Sequence, residues 1–378
     1  MAYHEIKKWK DIFDDKDKSD KDKSDKDKYN YSDTLLIGNG ASIAVNKSFN
    51  YGSLTQHAFD NGLMPSEVKE LFDFFETEDF ELVLRLVWQA SNVNRSLKIP
   101  DDGKTRKTYV RVRDCLIKSV RGIHPKYDEV SEQLPRIYEF LKKFKTVLSL
   151  NYDLILYWVM MYGNSEIDDG HKFKDCFLHG SFRDKWQGLR ELYLRGGEIS
   201  NTLVFYPHGN LIFRRNAVGS ESKIKNDNQN DSKKLLDTVL ESWETEGTKG
   251  TKGTKGFVPL FVSEGTSPQK IASIQNSYYL STVYREVLTA HTESLVIYGW
   301  RLDDRDIHIL ERMSDSGIKR VAVSVHGDNL EYCDVVFKKI RDKLGKSVHI
   351  DFFDSESYGC WNKPKGFTLT RSQNLGQA

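Results

Sequence analysis

DTLLIGNGASIAVNKSFNYGSL, residues 33–54, contains the stretch that decides the fold. Its run TLLIG (34–38) has the length and the continuous apolar character of a buried parallel strand. The glycine turn GNGAS (38–42) follows, and then sequence that resembles the start of a helix. A strand, a glycine turn and a helix start are the first unit of a nucleotide-binding sheet, in which the turn approaches a phosphate. The dipeptide Asn-Gly also favours a plain tight turn, so both interpretations remain open at this stage.

Strand-like and helix-like segments alternate along the rest of the chain, which predicts an α/β fold. Apolar periodicity predicts helices within residues 65–91, 127–144 and 276–291. We therefore expect a Rossmann-like parallel sheet with helices on both faces. The further strand-like runs are TVLSL (146–150), TLVFY (202–206), SLVIYG (294–299) and KRVAVSV (319–325).

The chain is expected to form one α/β domain over residues 31–360, with additions. Residues 55–140 hold no strand-like run and are predicted to be a helical insertion. Residues 217–256 are predicted to be a flexible surface insertion, because they are polar and end in the repeat EGTKGTKGTKG. Residues 1–30 form an N-terminal segment with the charged spacer DKDKSDKDKSDKDK, and residues 361–378 form a tail.

Composition narrows the function classes. The 56 basic and 55 acidic residues leave a net charge of +1, so no global field favours nucleic acid. We interpret the local basic segments 95–113 and 141–146 as solvated faces. No apolar run reaches the length of a signal peptide core or a membrane span. The four cysteines lie far apart, which suits reduced thiols in a cytoplasmic protein without a metal site.

Polar side chains follow the other predicted strands at the point where each strand ends. Asn151 and Asp153 follow TVLSL, His208 follows TLVFY, and WRLDDRD (300–306) follows SLVIYG. Each alone is explained as a helix cap or a turn residue. Because the carboxyl ends of parallel strands share one edge of the sheet, we expect all of them to converge on one crevice.

The glycine turn is not a dehydrogenase fingerprint. The motif G-x-G-x-x-G would place glycine at position 43, where this chain has Ile43. Hydride transfer is therefore disfavoured.

Four motifs together resemble the sirtuin-like, NAD-consuming Rossmann-fold family, especially its bacterial antiphage-defence members. They are GNGASIAVN, LNYDLILYW, FYPHGNLIF and YGWRLDDRDIHI. An uncharacterised bacterial family with motifs GNG-x-S, LNYD, HG and YGxxLxxxDxHI is similar as well. The similarity spans about residues 31–325.

The resemblance implies a role for individual residues. Asn151 would position water or sugar at the nicotinamide ribose, Asp153 would contact the carboxamide, and His208 would be the general base. The strand end Gly299, Trp300, Arg301 and Leu302 would line the adenosine side. The turn that would hold the NAD pyrophosphate consists of Gly38, Asn39, Gly40, Ala41 and Ser42.

Two departures from the family pattern bear on these roles. Trp300-Arg301 replaces a small residue and serine, which is expected to crowd or recharge the adenosine side. A second histidine, His179 in HGS (179–181), competes with His208, and we favour His208 because TLVFY is the better strand. Deacetylation is not expected, because the cysteine spacing cannot build the zinc module of the deacetylating sirtuins.

The expected function is NAD⁺ hydrolysis, with NAD as substrate and no metal, by a bacterial antiphage-defence effector that depletes NAD. The alternative is a sensor or regulatory subunit that binds NAD or ADP-ribose without cleaving it. Expected partners are a second copy of the chain, a defence-system partner or a phage trigger, and neither membrane nor nucleic acid.

Overall fold

A computed structural model of the chain describes residues 4–13, 31–50, 52–100, 102–191, 200–216, 219–224, 232–244, 257–262 and 264–363. The predicted charged spacer lies entirely outside these ranges, as do most of the C-terminal tail and parts of the 217–256 insertion. None of the described helices combines the length and the apolar character needed to cross a membrane.

The described part of the chain contains strands in three sheets. The strands are β1 (Ile6–Lys7), β2 (Thr34–Ile37), β3 (Thr146–Ser149), β4 (His171–Lys174), β5 (Phe177–Leu178), β6 (Ser181–Phe182), β7 (Ser200–Phe205), β8 (Gly209–Asn216), β9 (Glu221–Lys223), β10 (Phe257–Phe261), β11 (Ser294–Tyr298), β12 (Arg320–Val325) and β13 (His349–Asp354).

Eight strands form the main sheet, in the order β1-β13-β12-β11-β2-β3-β7-β4, and all neighbouring pairs are parallel. All five strands predicted from apolar runs are present, and they are the five at the centre of the sheet, from β12 to β7. The sequence patterns missed β1, β4 and β13, because these outer strands are short or carry polar residues, as in HKFK and HIDFFD. An α/β fold with a Rossmann-like parallel sheet is thus confirmed.

Helices flank the main sheet and connect its strands. They are α1 (Trp9–Ile12), α2 (Asn39–Val45), α3 (Leu54–Asp60), α4 (Ser66–Phe74), α5 (Phe80–Ser96), α6 (Asp102–Ile123), α7 (Tyr127–Val130), α8 (Leu134–Leu141), α9 (Ile155–Ser165), α10 (Leu235–Glu244), α11 (Ser267–Gln275), α12 (Tyr278–Thr282), α13 (Ile307–Arg312) and α14 (Leu330–Leu344). A π-helical turn, Val283–Val287, continues α12. Short 3₁₀ turns lie at Lys47–Phe49, Ser131–Gln133, Trp186–Glu191, Ser232–Lys234, Asp304–Asp306 and Met313–Ser316.

The predicted helical insertion is present as α3 to α8, between β2 and β3, and its described residues form no strand. The single helix predicted over 65–91 is broken into α4 and α5. Glu76 takes a left-handed backbone at φ 48°, and the Asp79 side chain accepts the backbone N–H of Glu81 to begin α5. The helix predicted over 127–144 is interrupted by a 3₁₀ turn and restarts at α8, where Pro135 lies in the first turn.

Segments predicted to lie outside the domain contribute to its core. In the N-terminal segment, β1 pairs with β13 and Trp9 is buried. At the start of the predicted tail, the buried Trp361 donates its Nε1–H to the Ala41 carbonyl at 2.9 Å. Within the predicted flexible insertion, α10 buries Leu235, Val239 and Trp243. A few large apolar side chains therefore bury these segments in the core, although the sequence around them is polar.

The second sheet is an antiparallel layer of β10, β8 and β9. It follows β7 directly, because the turn at Tyr206–Gly209 reverses the chain into β8. The third sheet is the small hairpin of β5 and β6. The antiparallel layer continues the chain beyond the carboxyl ends of the main strands, which is where the predicted site residues lie.

Candidate active site at the carboxyl edge of the main sheet

The strand order places a topological switch point between β2 and β11. From β2 the chain proceeds through β3 to β7 on one side, whereas β11, β12 and β13 lie on the other. At such a point the loops leave neighbouring strands in opposite directions, and ligands bind in the crevice outside the carboxyl ends. The two loops concerned are the glycine turn 38–42 and the segment 299–306.

The glycines bring these two loops into direct contact. The Gly38 N–H donates to the Tyr298 carbonyl at 3.0 Å, and the Gly40 N–H donates to the Gly299 carbonyl at 2.7 Å. A Cβ on Gly40 would lie 2.8 Å from the Gly299 oxygen. These two amides are already hydrogen-bonded within the protein, so they do not face an anion as the sequence interpretation required.

The other members of the turn have contacts of their own. Asn39 is exposed and donates its side-chain N–H to the Phe49 carbonyl at 3.1 Å. Ala41 is buried, and its N–H donates to the Gly38 carbonyl at 3.0 Å. Ser42 is 1% exposed and faces the residues that follow β3.

Asn151 lies against the glycine turn with a fixed orientation. Its Nδ2 group donates to the Gly38 carbonyl at 3.0 Å and to Ser42 Oγ at 2.8 Å. Both amide protons are used, so Oδ1 is the atom left to accept. In the described part of the structure Oδ1 has no hydrogen-bond donor, and the residue is half-buried. Asn151 can therefore offer a positioned acceptor to a water or a sugar hydroxyl.

Asp153 has a structural role in this conformation. Its Oδ2 accepts the Ser42 hydroxyl at 2.5 Å, and its Oδ1 accepts the Ile155 N–H at 2.8 Å, at the start of α9. The side chain is buried, and burial raises its pKa while these two hydrogen bonds oppose the rise. Both oxygens are engaged, so the contact with a carboxamide that the resemblance implied is not available to Asp153 here.

His208 lies at the same edge of the main sheet as Asn151. The segment after it is fastened to the segment after β3, because Asn210 Nδ2 donates to the Asp153 carbonyl at 2.7 Å and the Leu211 N–H donates to the Tyr152 carbonyl at 3.0 Å. The glycine turn, Asn151 and His208 thus lie at one edge of the sheet. The strand ends share this edge because the strands are parallel, whereas their convergence on one crevice stays a prediction.

The His208 ring is buried against a second histidine. It is 3% exposed, and its Nε2 lies 3.1 Å from Nε2 of His308. Burial lowers the pKa of His208 to about 3, opposed by the nearby Asp306 carboxylate. His208 is therefore neutral at pH 7 in this closed conformation.

The sequence interpretation assigned no role to His308, which is the histidine of DRDIHI (304–309). It lies in α13, is fully buried, and its Nδ1 lies 3.1 Å from Ser267 Oγ. Burial lowers its pKa to about 4. The neighbouring Asp306 accepts the Lys270 ammonium at 2.6 Å and lies 3.9 Å from His208 Nε2. His308 is part of the motif YGWRLDDRDIHI, but it lies one hundred residues from His208 along the chain. The motif alone therefore did not indicate their contact.

Glu264 is a further carboxylate of this region that the sequence analysis did not select. It follows β10, is 7% exposed, and accepts the Leu54 N–H at the start of α3 at 3.2 Å. Burial raises its pKa to about 7. No local pattern marks this residue, because its burial depends on the helical insertion.

The strand end 299–302 is partly filled by its own side chains. Trp300 is 5% exposed, and its carbonyl accepts the Tyr332 hydroxyl at 2.8 Å. Its Cα lies 2.6 Å from where a Gly38 Cβ would be. Arg301 is exposed, and Leu302 is buried with φ 53°. Trp300 therefore occupies space beside the glycine turn, as the predicted crowding of this side requires.

His179 lies at the tip of the β5–β6 hairpin. His179 and Gly180 form its two-residue turn with φ 51° and 82°, which is the pattern of a type I′ turn. The side chain is exposed. His208 is thus buried against His308 whereas His179 is exposed, and the choice of His208 as the base stays a prediction.

A cavity of about 30 Å³ lies elsewhere, at the amino ends of β2 and β3. It is bordered by Thr34, Thr146, Thr292 and the ring of Trp186. It has room for about one water and not for a dinucleotide. In the described ranges, His, Cys, Asp and Glu do not form a group of three or more suited to a metal ion.

Comparison with known proteins assigns the chain to a family whose function is unknown. The model of the family described as Domain of unknown function (DUF4917) matches residues 35–361. No curated protein matches the sequence significantly.

Proposed function

The chain belongs to the DUF4917 family, and from the carboxyl-edge geometry we propose that it is an NAD⁺ hydrolase that cleaves the nicotinamide–ribose bond. The observation that carries this proposal is the locked amide of Asn151. Its Nδ2 is held by Gly38 and Ser42, so that Oδ1 is left to accept at the switch point, on the sheet edge that also carries the neutral His208.

The chemistry requires little acid catalysis. Breaking the bond develops positive charge on the ribose, and nicotinamide leaves as a neutral molecule from a cationic ring. Asn151 Oδ1 would hold a water or a ribose hydroxyl, and His208 would take the proton released on attack. General base catalysis of this kind contributes about 10²–10⁴-fold to the rate.

Substrate access requires movement. Because His208 is 3% exposed, substrate reaches its ring only after a local opening of the segments around it. An enzyme that destroys NAD needs an inactive form, and a closed site supplies one. A partner, a phage component or a second copy of the chain would open it. The role in bacterial antiphage defence, in the cytoplasm, is supported by the resemblance of the four motifs.

The experiment is nicotinamide release from NAD⁺ by the purified full-length chain. Asn151→Ala and His208→Ala are each expected to lower turnover by about 10² or more. The matched controls are Asn61→Ala, an exposed asparagine bonded within its own helix end, and His171→Ala, a buried imidazole near the opposite edge of the sheet. Wild-type turnover in both site variants would refute the assignment.

One observation favours the alternative of a non-catalytic sensor. The Gly38 and Gly40 amides, the Asp153 carboxylate and the His208 ring are all engaged within the protein. Calorimetry with NAD and with ADP-ribose tests this. Binding without nicotinamide formation, also when the enzyme assay includes cell extract from infected bacteria, selects the sensor.

A further inference from the structure

The contact between His208 and His308 limits which ring nitrogens of the two imidazoles can carry a proton. Two neutral imidazoles with their Nε2 atoms 3.1 Å apart can share only one proton, so one ring donates and the other accepts. On the far side, His308 Nδ1 lies 3.1 Å from Ser267 Oγ. A serine hydroxyl can donate or accept, so the row Ser267–His308–His208 has two orientations.

The orientation decides which nitrogen of His208 is available as a base. If His308 donates, His208 carries its proton on Nδ1 and has no free lone pair. If His208 donates, its Nδ1 is free, and His308 directs its own Nδ1–H towards Ser267. His208 Nδ1 has no hydrogen-bond partner within the described residues, so it is the atom that could meet a water.

We propose that His308 is a positioning residue: it accepts the Nε2 proton of His208 and thereby fixes the tautomer in which His208 Nδ1 is the base. The catalytic part of this inference rests on the proposed function, whereas the tautomer does not. In a catalytic triad a buried carboxylate accepts one imidazole proton and so orients the catalytic histidine. Here the neutral imidazole of His308 takes the place of that carboxylate.

The charges around the pair support this arrangement. Asp306 lies 3.9 Å from His208 Nε2 and would stabilise the imidazolium that forms. Lys270, at 2.6 Å from Asp306, opposes protonation of both rings and is itself paired with that carboxylate.

The step is balanced. A water oxygen forms the new bond to the ribose carbon as the carbon–nitrogen bond breaks. The electron pair of the broken bond goes to the nicotinamide nitrogen. The water proton goes to His208 Nδ1. The Nε2 proton of His208 stays in the hydrogen bond to His308.

The first test is spectroscopic and needs no substrate. Long-range ¹H–¹⁵N correlation on the full-length chain with ¹⁵N-labelled histidine distinguishes the two neutral tautomers, and loss of signals in His208→Gln and His308→Gln assigns them. We expect protonated Nε2 in His208 and protonated Nδ1 in His308. A protonated Nδ1 in His208 would overturn the proposal.

The second test compares two replacements of His308. His308→Gln retains an acceptor oxygen and is expected to keep turnover within about tenfold, whereas His308→Leu should lose about 10² in kcat with an unchanged KM. In His308→Leu the His208 tautomer should also change, and melting temperatures of both variants show whether they fold. If the wild type forms no nicotinamide, the proposed function fails while the tautomer result stands. Wild-type kcat and an unaltered tautomer in a folded His308→Leu would refute the positioning role.

Discussion

Three glycines determine how closely the two loops of the switch point approach. Gly38 and Gly40 pack against the backbone of residues 299–300, and Gly299 has φ 68°, in the left-handed region that favours glycine. A Cβ on Gly299 would lie 2.3 Å from the Ala41 nitrogen. Close packing of backbone is thus the physical reason for glycine here, and phosphate binding is not needed to explain it.

Gly299→Ala is predicted to cost about 2–5 kcal/mol of unfolding free energy. The left-handed backbone accounts for about 1–2 kcal/mol, and the forced backbone shift for about 1–3 kcal/mol more. Gly170→Ala is the matched control, with φ 79° but open space around the added Cβ. Urea unfolding measures both, and equal losses in the two variants would contradict the packing argument.

Ser42→Ala is predicted to destabilise the fold by about 1.5–3 kcal/mol, because the Ser42 hydroxyl is bonded to a carboxylate. The substitution leaves Asp153 Oδ2 without its donor and Asn151 Nδ2 without one acceptor. Ser119→Ala is the control, since that buried hydroxyl donates only to the Cys115 carbonyl of its own helix. A loss no larger than that of Ser119→Ala, by thermal or urea unfolding, would show that the contact is weak.

Between elements, Glu264 joins the end of β10 to the start of α3. Its carboxylate accepts the Leu54 N–H, and the surrounding groups are Glu78, Lys270 and Arg305. The helical insertion is thus attached to the antiparallel layer through a buried acid. Burying this acid costs free energy only when it is ionised.

Glu264→Gln is therefore predicted to become relatively more stable than the wild type as pH rises. The pKa of Glu264 is raised from 4.5 to about 7, so between these values the unfolded chain loses its proton while the folded chain keeps it. Wild-type stability falls as pH rises through that window, by up to about 3 kcal/mol at about 1.4 kcal/mol per pH unit. Glutamine keeps an acceptor for Leu54 and has no such dependence.

Urea unfolding below pH 4.5 and above pH 7 measures the difference between the two proteins. Glu331→Gln, which replaces an exposed carboxylate, serves as the control. A wild-type/Glu264→Gln difference that does not change with pH would contradict the raised pKa.

Across the whole molecule, a buried ion-pair network holds the helical insertion to the sheets. Arg215 of β8 lies 3.0 Å from Glu221 and 3.9 Å from Glu81 of α5. Glu221 also accepts the N–H groups of Tyr278 and Tyr279 at the start of α12. Arg85 of α5 lies 3.5 Å from Glu81, so two arginines compensate two buried carboxylates that belong to different layers.

Arg215→Met is predicted to lower the unfolding free energy by about 3–5 kcal/mol, because it leaves Glu221 without its cation and Glu81 with Arg85 alone. Arg136→Met, at an exposed position on α8, is the control. Adding Glu81→Gln to Arg215→Met should recover part of the loss. Hydrogen exchange should rise in α5, β8 and the start of α12 together, and a rise confined to β8 would show that the layers are not coupled through this residue.

Apolar runs and glycine turns were sufficient to predict the five central strands, the all-helical insertion and the clustering of polar residues after strand ends. Each of these follows from a local property, because a strand buried on both faces must be apolar along its length. The outer strands escaped prediction because an edge tolerates polar residues, as HKFK and HIDFFD show.

The contacts between distant segments became known only from the tertiary structure. Sequence patterns predicted that His208, Asn151 and the glycine turn share one edge of a sheet. They did not predict the His308 that contacts His208, the bond between Ser42 and Asp153, or the engagement of the Gly40 amide by Gly299. Hydrogen-bond partners and buried charges depend on packing between segments a hundred or more residues apart. No local pattern carries that information, since a histidine in a helix has the same appearance whether it faces water or another histidine.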